Sequence, residues 1–432
     1  MTIPSGRALA LWGLATLLFV FAFVTPWLAV AGLVADLAIA ACTWVDGRGA
    51  ARRAIRVRRR LPEVVCQGER AALAWDVDNL DAFPLRLRLR DVLELGDTAV
   101  EAELVAPAGA RVTHRAEVVP KRRGRSPLPP IALRVAGRWG LAWSPREVPG
   151  EDAVRVHPRL HPDGDDALAL RRALAVRPGQ HDLARPGLST EFHALRDYQR
   201  GDDFRRIHWK ATARARRPVT VETTWEQEQE IVVLVDCGRP MAASSGPWSK
   251  LDHALSAALA LARAAGAWRD VVTIVLFSRE VRCAVRVDGR AGGFARALEA
   301  LLEQHADEEE PDYAAAAGWC MRKVPRRSLA FLFTSVGDAL AADAIAEATV
   351  ALARRHRPVL VNLDDPGVAA LARAIPTDVA GAYAKVSALA VDEANEGLYA
   401  RLRQKKVEVV PAPADRLTVG VLQAFLDLKS RG

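Results

Sequence analysis

The densest group of side chains able to do chemistry lies near the middle of the chain, where carboxylates and cations alternate within a few residues of one another. These side chains belong to Glu191, Asp197, Asp202, Asp203, Arg196, Arg200, Arg205, Arg206 and Lys210. A mixed-charge block of this kind is typical of an ion-pair lattice that orders an irregular segment. The alternative is a surface that docks an acidic partner, and an active site is the third interpretation.

Local spacing predicts that the block presents its cations on one helix face. The Gly-Asp-Asp sequence at residues 201–203 can turn the chain and cap a short helix over residues 204–213. Two pairs of residues are four apart on such a helix and therefore share a face, namely Arg205 with Trp209 and Arg206 with Lys210. We expect Trp209 to pack beneath these cations as a buried anchor.

A second candidate site is indicated by polar residues that follow apolar runs in the C-terminal half. Asp236, Thr334 and Asp364 each end such a run. Because ligands bind at the carboxyl ends of parallel strands, these three residues mark an edge where a site could form. An envelope-associated hydrolase or another enzyme that uses a cleft near Asp236 is therefore the alternative to a docking protein.

The elements that would position these residues alternate between strands and helices from residue 231 onward. Strands are predicted over 231–235, 271–277, 281–287, 329–333, 359–363 and 407–410. Helices are predicted over 251–265, 294–302, 312–321, 339–354, 386–403 and 417–428. This alternation predicts an α/β fold with a doubly wound, mostly parallel sheet.

The region from residue 51 to residue 158 has a different pattern, in which apolar and polar residues alternate with a period of two. Short strands of this kind, separated by turn residues, predict a small antiparallel β-sandwich. Residues 162–187 are rich in Asp, Pro and Gly and are interpreted as a linker or surface loop. The predicted segments are 1–46, 47–160, 161–230 and 231–432.

Two apolar runs, Ala8–Val24 and Trp27–Val45, precede this body. Each has the length of about 17–25 residues that a helix needs to cross a bilayer, so we expect an N-terminal two-helix transmembrane hairpin. A cleaved signal peptide is the alternative. Asp36 lies within the second run, where a carboxylate either orients helix packing or serves a function in the membrane.

Charge predicts the orientation of this hairpin. Arg7 precedes the first run, and seven arginines against one aspartate lie between Asp46 and Arg60. By the positive-inside rule both ends and the soluble body are cytoplasmic, in the inner (plasma) membrane of a bacterium. These arginines supply most of the net charge of +8, so the basicity does not indicate a nucleic-acid partner. The five cysteines contain no CxxC pair, which argues against a disulfide framework.

The central block resembles the family called domain of unknown function 58, whose hallmark is a GEFxxLRxYxxGDDxRxIxWKxxAR-like sequence. The matching residues here are Glu191, Phe192, Leu195, Arg196, Tyr198, Gly201, Asp202, Asp203, Arg205, Ile207, Trp209, Lys210, Ala213 and Arg214. The resemblance implies a von Willebrand factor A-like α/β body and a MoxR-type AAA+ ATPase as partner. We predict that the partner is bound by Glu191, Arg196, Tyr198, Gly201, Asp202, Asp203, Arg205, Arg206, Trp209 and Lys210.

The chain departs from metal-binding relatives at the end of its first buried strand. A von Willebrand factor A domain that binds Mg²⁺ offers Asp-x-Ser-x-Ser, whose carboxylate and hydroxyls are the hard oxygen ligands that this ion requires. Here Asp236 is followed by Cys237, Gly238, Arg239 and Pro240, so both hydroxyls are missing and Arg239 could place a cation nearby. We therefore expect no bound metal at Asp236, and the alternative is an ion held with oxygens from Thr334, Ser335 and Asp338.

The expected function is that of a membrane-anchored, cytoplasmic-facing interaction or assembly factor that works with the ATPase and catalyses no reaction. The chain contains no GxxxxGK[ST], HExxH or GxSxG motif. We accordingly predict no catalytic residue and no cofactor. A purely structural membrane scaffold is a further alternative, and the client and the oligomeric state are left open.

Overall fold

The computed structural model describes residues 2–21, 25–62, 64–93, 99–150, 153–160, 164–175, 192–198, 207–223, 229–288 and 292–431. They form two compact units, Met1–His157 and Pro158–Gly432. Both units contain sheets and helices, so the mixed α/β architecture predicted from the sequence is confirmed.

The first unit begins with a short strand, β1 (Ile3–Pro4), and two apolar helices, α1 (Gly6–Phe21) and α2 (Trp27–Arg52). With 26 residues, α2 is long and apolar enough to cross a membrane, whereas α1 is apolar but shorter. Helix α2 continues beyond the apolar run that ends at Val45, as far as Arg52, and its last turns are hydrogen-bonded to a later strand and to the turn that precedes it. Residues 22–24, at the predicted end of the first run, lie outside the described residues.

Near its start α2 contacts α1, and near its end it contacts the residue that precedes β1. A Cβ atom at Gly32 would lie 2.9 Å from Cε2 of Phe19, so only glycine fits beneath this ring. At the other end, a Cβ atom at Gly47 would lie 2.6 Å from Cγ2 of Thr2. Between these contacts, Oδ1 of Asp36 is enclosed and has no hydrogen-bond partner among the described residues.

Ten further strands complete the first unit. They are β2 (Ile55–Arg60), β3 (Val65–Cys66), β4 (Ala71–Asn79), β5 (Leu85–Val92), β6 (Ala99–Ala106), β7 (Arg111–Val118), β8 (Gly124–Ser126), β9 (Ile131–Ala136), β10 (Ala142–Val148) and β11 (Val154–His157). The sheets have the orders β1-β10-β9-β5-β6, β2-β4-β7 and β3-β11-β8. Alternation explains their burial, since the leucines of β5 point inward and its arginines outward.

One hydrophobic core is formed by side chains from these sheets, and a buried ion pair lies within the unit. The Arg59 guanidinium donates to both carboxylate oxygens of Asp91, at 2.8 and 2.6 Å, and also to the carbonyl oxygen of Pro129. The indole nitrogen of Trp75 donates to the same carboxylate at 2.8 Å. This network joins β2, β4 and β5, and its charged members are buried.

The second unit contains the remaining elements. Its helices are α3 (Gly164–Ala175), α4 (Trp209–Ala215), α5 (Arg239–Ala242), α6 (Lys250–Ala267), α7 (Gly293–Leu302), α8 (Tyr313–Lys323), α9 (Ala339–Ala353), α10 (Pro366–Arg373), α11 (Val379–Gln404) and α12 (Leu417–Arg431). Its strands are β12 (Phe192–Asp197), β13 (Val219–Thr223), β14 (Glu230–Asp236), β15 (Ser244–Ser245), β16 (Trp248–Ser249), β17 (Val271–Phe277), β18 (Val281–Val287), β19 (Leu329–Thr334), β20 (Arg357–Asp364) and β21 (Glu408–Pro413).

A six-stranded sheet of order β18-β17-β14-β19-β20-β21 is the centre of this unit. All its neighbouring strands are parallel except the β17–β18 pair. Val233 and Val235 of β14 pack in a core with α6 and α12, whereas Val232 and Leu234 pack in a second core with α8, α9 and α11. Because both faces of the strand are covered, its sequence is continuously apolar.

Two regions of this unit differ from the sequence prediction. Residues 162–187 are not a continuous loop, because α3 forms there and packs Leu170 into the core with α6 and α12. The helix predicted over 386–403 begins seven residues earlier, at Val379, and α10 precedes it. Asp378 caps α11 by accepting a hydrogen bond from the amide of Gly381, a start signal that the sequence analysis missed.

We predict that Asp91→Ala destabilises the first unit strongly. The change leaves the buried Arg59 guanidinium without its carboxylate, and removal of one partner from a buried pair costs about 3–5 kcal/mol. The measurement is the thermal unfolding of the full chain in detergent. Glu117→Ala is the matched control, because it removes an exposed ion pair with Arg70 and should melt like the wild type. Equal melting of the two variants would show that the buried pair does not hold the sheets.

Candidate functional site

The described part of the mixed-charge block is attached to a two-stranded ribbon. Strands β12 and β13 pair antiparallel, with Asp197 opposite Val219. The ribbon is extended by two backbone hydrogen bonds, from the Tyr198 amide to the carbonyl of Pro218 and from the His208 amide to the carbonyl of Val219, each at 2.9 Å. Of the predicted partner-binding residues, the structure describes Arg196, Tyr198, Trp209 and Lys210, whereas Glu191, Gly201, Asp202, Asp203, Arg205 and Arg206 lie outside the described residues.

The helix predicted over residues 204–213 is confirmed at residues 209–213, but residues 207 and 208 are not helical. Helix α4 starts at Trp209, and the side chain of His208 caps it by accepting a hydrogen bond from the amide of Ala211 at 3.1 Å. Ile207 is buried and belongs to a bridge instead of the helix. The prediction that Arg206 and Lys210 share a helix face involves Arg206, which lies outside the described residues.

Trp209 is not the buried anchor that the sequence analysis expected, since 65% of the residue is exposed. Lys210 and Arg214 are exposed on the same short helix, four residues apart. Like charges at this spacing destabilise a helix by a few tenths of a kcal/mol. The presence of two cations on one face of α4 is therefore not explained by the stability of the helix. We call Trp209, Lys210 and Arg214 the α4 surface.

The strand-end residues do meet at one edge of the six-stranded sheet. Thr334 donates a hydrogen bond to Oδ2 of Asp236 at 2.7 Å, and the hydroxyl of Tyr313 donates to the same oxygen at 3.1 Å. The amide of Gly238 donates to Oδ1 at 2.7 Å. Asp236 and Thr334 end β14 and β19, which are neighbours at the point where the strand order reverses.

Burial controls the protonation of this cluster. Desolvation raises the pKa of Asp236 to about 6, although the hydrogen bonds from Gly238, Thr334 and Tyr313 act in the opposite direction. Burial, together with the neighbouring Asp236 carboxylate, also raises the pKa of Tyr313, so this hydroxyl stays protonated as a donor. Tyr313 was missed in the sequence because 77 residues separate it from Asp236 and no local pattern connects them.

A second polar cluster surrounds Asp364 at the end of β20. Its carboxylate accepts hydrogen bonds from the Asn362 amide at 2.8 Å and from the Tyr399 hydroxyl at 3.3 Å. Nearby, the buried ammonium of Lys250 donates to Oγ of Ser335 at 3.0 Å and lies 3.5 Å from Asp365. Burial raises the pKa of Asp364, and the positive charge of Lys250 opposes that effect. Asp236 and Asp364 thus belong to separate hydrogen-bonded groups along one edge.

These residues do not fit an Mg²⁺ site of the Asp-x-Ser-x-Ser kind. Three donors already occupy the Asp236 carboxylate, and the amide of Gly238 is one of them. Arg239 forms an ion pair with Glu310 and therefore has its own counter-charge. In the described ranges, no three His, Cys, Asp or Glu side chains are grouped as metal ligands would be.

An exposed apolar stripe on α10 and α11 is the surface that the sequence analysis did not find. Val379, Tyr383 and Val386 follow the i, i+4, i+7 spacing of one helix face, and Val379 and Tyr383 are each 73% exposed. Leu371 of α10 and Ile375, which is 88% exposed, precede them. Three of the exposed residues share one helix face by their spacing, so their exposure is not that of isolated surface residues. We call these five residues the α10–α11 stripe.

We predict that Asp236 makes the stability of the second unit pH-dependent. Because its pKa is higher in the folded chain than the ordinary value of 3.8, the folded chain binds the proton more tightly than the unfolded chain. This stabilisation is fully present below about pH 4 and is lost as the pH rises through about 6. Relative to Asp236→Asn, which cannot ionise, the wild type should lose up to about 3 kcal/mol of unfolding free energy between about pH 4 and pH 8.

The measurement for Asp236 is denaturant unfolding of the full chain across this pH range, followed by tryptophan fluorescence. Asp427→Asn on the exposed face of α12 is the matched control and should preserve the wild-type pH profile. If wild type and Asp236→Asn instead keep a constant difference over the whole range, Asp236 does not titrate in this interval.

Comparison with known proteins identifies the family. The family model described as protein of unknown function DUF58 matches residues 194–408, a range that contains α4, the cluster at Asp236 and the α10–α11 stripe. No curated protein matches the chain.

Several solved structures are similar at low scores. A CARDB domain from Pyrococcus furiosus is 14% identical, with a TM-score of 0.18, covering 24% of this chain and 88% of that chain. An alkylpurine DNA glycosylase from Pseudomonas fluorescens is 16% identical, with a TM-score of 0.16, covering 31% of this chain and 45% of that chain. A beta-glucuronidase from Bacteroides uniformis is 8% identical, with a TM-score of 0.17, covering 82% of this chain and 39% of that chain. Scores this low assign neither a fold nor an activity. On its family match, the chain belongs to the DUF58 family of proteins of unknown function.

Proposed function

We propose that this chain is a membrane-anchored docking or assembly factor whose second unit binds a protein partner, a MoxR-type AAA+ ATPase. The α10–α11 stripe carries this proposal. It places Val379, Tyr383 and Val386 in water on one face of a helix, and a partner that covers them gains about 25 cal/mol for each Å² of apolar surface removed from water. Helices with such a face bind partners through residues at this spacing.

The α4 surface supplies charge selectivity in this proposal. Lys210 and Arg214 are exposed cations beside Trp209, and tryptophan and arginine are the residues that most often dominate interface energetics. Exposed cations attract an acidic partner and raise its association rate more than its final affinity. The described part of the proposed partner-binding block also contains Arg196 and Tyr198. Arg196 pairs with Thr220 in the ribbon, and the amide of Tyr198 donates to the carbonyl of Pro218, shortly after α4 in the chain.

The first unit supplies the anchor. The contacts of Gly32 with Phe19 and of Gly47 with Thr2 support a two-helix hairpin whose ends emerge on the same side. Arginines that follow the apolar part of α2 support an orientation with the body in the cytoplasm, and hence a multi-pass protein of the bacterial inner membrane.

The architecture of each unit also supports a more specific fold assignment, a β-sandwich for the first unit and a von Willebrand factor A-like body for the second. Two sheets of the first unit share one core, as in a β-sandwich. The order of the six-stranded sheet in the second unit, with helices on both faces, supports a von Willebrand factor A-like body.

An enzyme that uses Asp236 is the less favoured alternative. A pKa near neutrality suits a general acid or base, and perturbed groups are concentrated at functional sites. The carboxylate is, however, fully buried, and its donors Tyr313 and Thr334 are buried with their hydroxyl oxygens 2.9 Å apart. A substrate would have to displace this cluster before it could reach the carboxylate.

Substitutions in the stripe should weaken partner binding without unfolding the chain. We predict that Tyr383→Ser with Val386→Asp lowers the affinity for a MoxR-type ATPase of the same organism by about tenfold or more, because hot-spot residues dominate interface energy. Thermal unfolding should change little, since exposed substitutions usually stay within about 0.5 kcal/mol. The measurement is equilibrium binding of the purified ATPase to the detergent-solubilised full chain.

Glu396→Ala is the control for the stripe, because Glu396 is exposed in the same helix and should leave binding unchanged. Lys210→Ala with Arg214→Ala tests the α4 surface, and we expect slower association whose defect is largest at low salt. Trp209→Ala should keep wild-type melting, in accord with its exposure. Unchanged ATPase binding in both variant sets would exclude these surfaces as the docking site.

The orientation of the anchor is tested with reporters fused to the C-terminus. We expect a fluorescent protein to be fluorescent and alkaline phosphatase to be inactive, because the arginines after α2 keep the body in the cytoplasm. The same phosphatase fused behind a cleavable signal peptide is the positive control. Active phosphatase together with a dark fluorescent fusion would place the body on the other side of the membrane.

A further inference from the structure

The end of α2 is fixed to the turn between β9 and β10 by a single carboxylate. Asp46 accepts hydrogen bonds from the backbone amides of Trp139, Leu141 and Ala142, at 2.9, 2.8 and 3.1 Å. A Cβ atom at Gly137 would lie 2.2 Å from this carboxylate, so only glycine allows the approach. The tip of the turn therefore lies level with Asp46, the first charged residue after the apolar part of α2.

The direction of β10 shows which way this tip points. Ala142 at the start of the strand bonds to Asp46, and Arg146 further along donates to the carbonyls of Ala50 and Arg53, at 2.6 and 2.7 Å. Strand β10 thus runs beside the last turns of α2 in the same direction as the helix. The β9–β10 turn consequently points back toward the apolar part of α2.

Aromatic and arginine side chains are exposed at this level. Trp139 at the tip is 53% exposed, and the Arg138 guanidinium lies 4.1 Å above the exposed ring of Phe83 in the loop before β5. On α2 itself, the Arg48 guanidinium lies 3.9 Å above the exposed ring of Trp44. We call these residues, Trp44, Arg48, Phe83, Arg138 and Trp139, the platform.

We propose that the platform lies in the headgroup layer of the membrane and binds anionic phospholipids. Indole and phenyl rings beside a spanning helix favour the interface between hydrocarbon and water. The two guanidinium groups can each bind a phosphate through two parallel hydrogen bonds, while their stems lie on the aromatic rings. This inference rests on the proposed membrane anchoring, and it adds a lipid class that α2 alone would not select.

The test is competitive lipid binding to the purified full chain in detergent, with phosphatidylglycerol and phosphatidylcholine offered in equal amounts and bound lipids counted by native mass spectrometry. We expect the wild type to prefer phosphatidylglycerol. Arg48→Ala with Arg138→Ala should reduce that preference on the order of fivefold or more for each arginine removed. Arg48→Lys with Arg138→Lys should keep most of it, because the charges remain.

The matched control is Arg115→Ala with Arg122→Ala, which removes two exposed arginines of the same unit from β7 and from the turn before β8. It should retain the wild-type preference. If the control loses as much as the platform variant, the effect is one of net charge and the platform proposal is wrong. It is also wrong if the platform variant keeps the preference.

Membrane fractionation of cells that express the same variants separates this proposal from the anchoring itself. The platform variant should stay in the membrane pellet after a carbonate wash, because the apolar part of α2, Trp27–Val45, is unchanged. A wild-type chain that is washed off would overturn the anchoring, whereas a retained wild-type chain without lipid preference would overturn only the platform.

Discussion

Three backbone amides that converge on the Asp46 carboxylate determine how the first unit is joined to its helices. The amides of Trp139, Leu141 and Ala142 belong to a tight turn and the strand that follows it, and an unpaired buried amide costs as much as a lost hydrogen bond. Asp46 is buried and supplies the acceptors. Because the carboxylate lies on α2, its hydrogen bonds fix the positions of the helix, the turn and β10 relative to one another. The exposed aromatic residues of the turn and of the helix are therefore held at the same height along α2.

Arg146 completes this junction from the opposite direction. Its guanidinium donates to the carbonyls of Ala50, in the last turn of α2, and of Arg53, the residue that follows the helix. A carboxylate on the helix that binds strand amides, and a guanidinium on the strand that binds helix carbonyls, together oppose rotation of one element against the other. A helix joined only by a flexible linker would not hold Trp139 and Trp44 at a common depth.

The second unit buries its strand-end polar side chains, whereas the apolar side chains of the α10–α11 stripe are exposed to water. Asp236, Tyr313 and Thr334 satisfy one another at the edge of the sheet, and Lys250 bonds to Ser335. Burial makes such a network strongly dependent on every member, and its hydrogen bonds fix the ends of the strands. The α10–α11 stripe has the opposite character, because its apolar side chains are exposed and their hydration is unfavourable.

The sequence by itself determined the features that depend on neighbouring residues. The apolar length of α2, the continuous apolar run of β14 and the period-two pattern of β5 follow from local composition, because a helix or strand must match its periodicity to the surface that buries it. The meeting of Asp236 with Thr334 also followed, since parallel strands bring their carboxyl ends to one edge.

Only the tertiary structure decided the features that depend on residues far apart in the chain. No residue near Asp46 in the sequence indicates that its carboxylate accepts hydrogen bonds from amides 93 to 96 positions later. In the same way, the hydroxyl of Tyr313 donates to Asp236 although 77 positions separate the two residues. The exposure of Trp209 and of the α10–α11 stripe is likewise a property of what the rest of the chain leaves uncovered. Helical spacing gives the residues of a face, but packing decides whether that face meets the core or water.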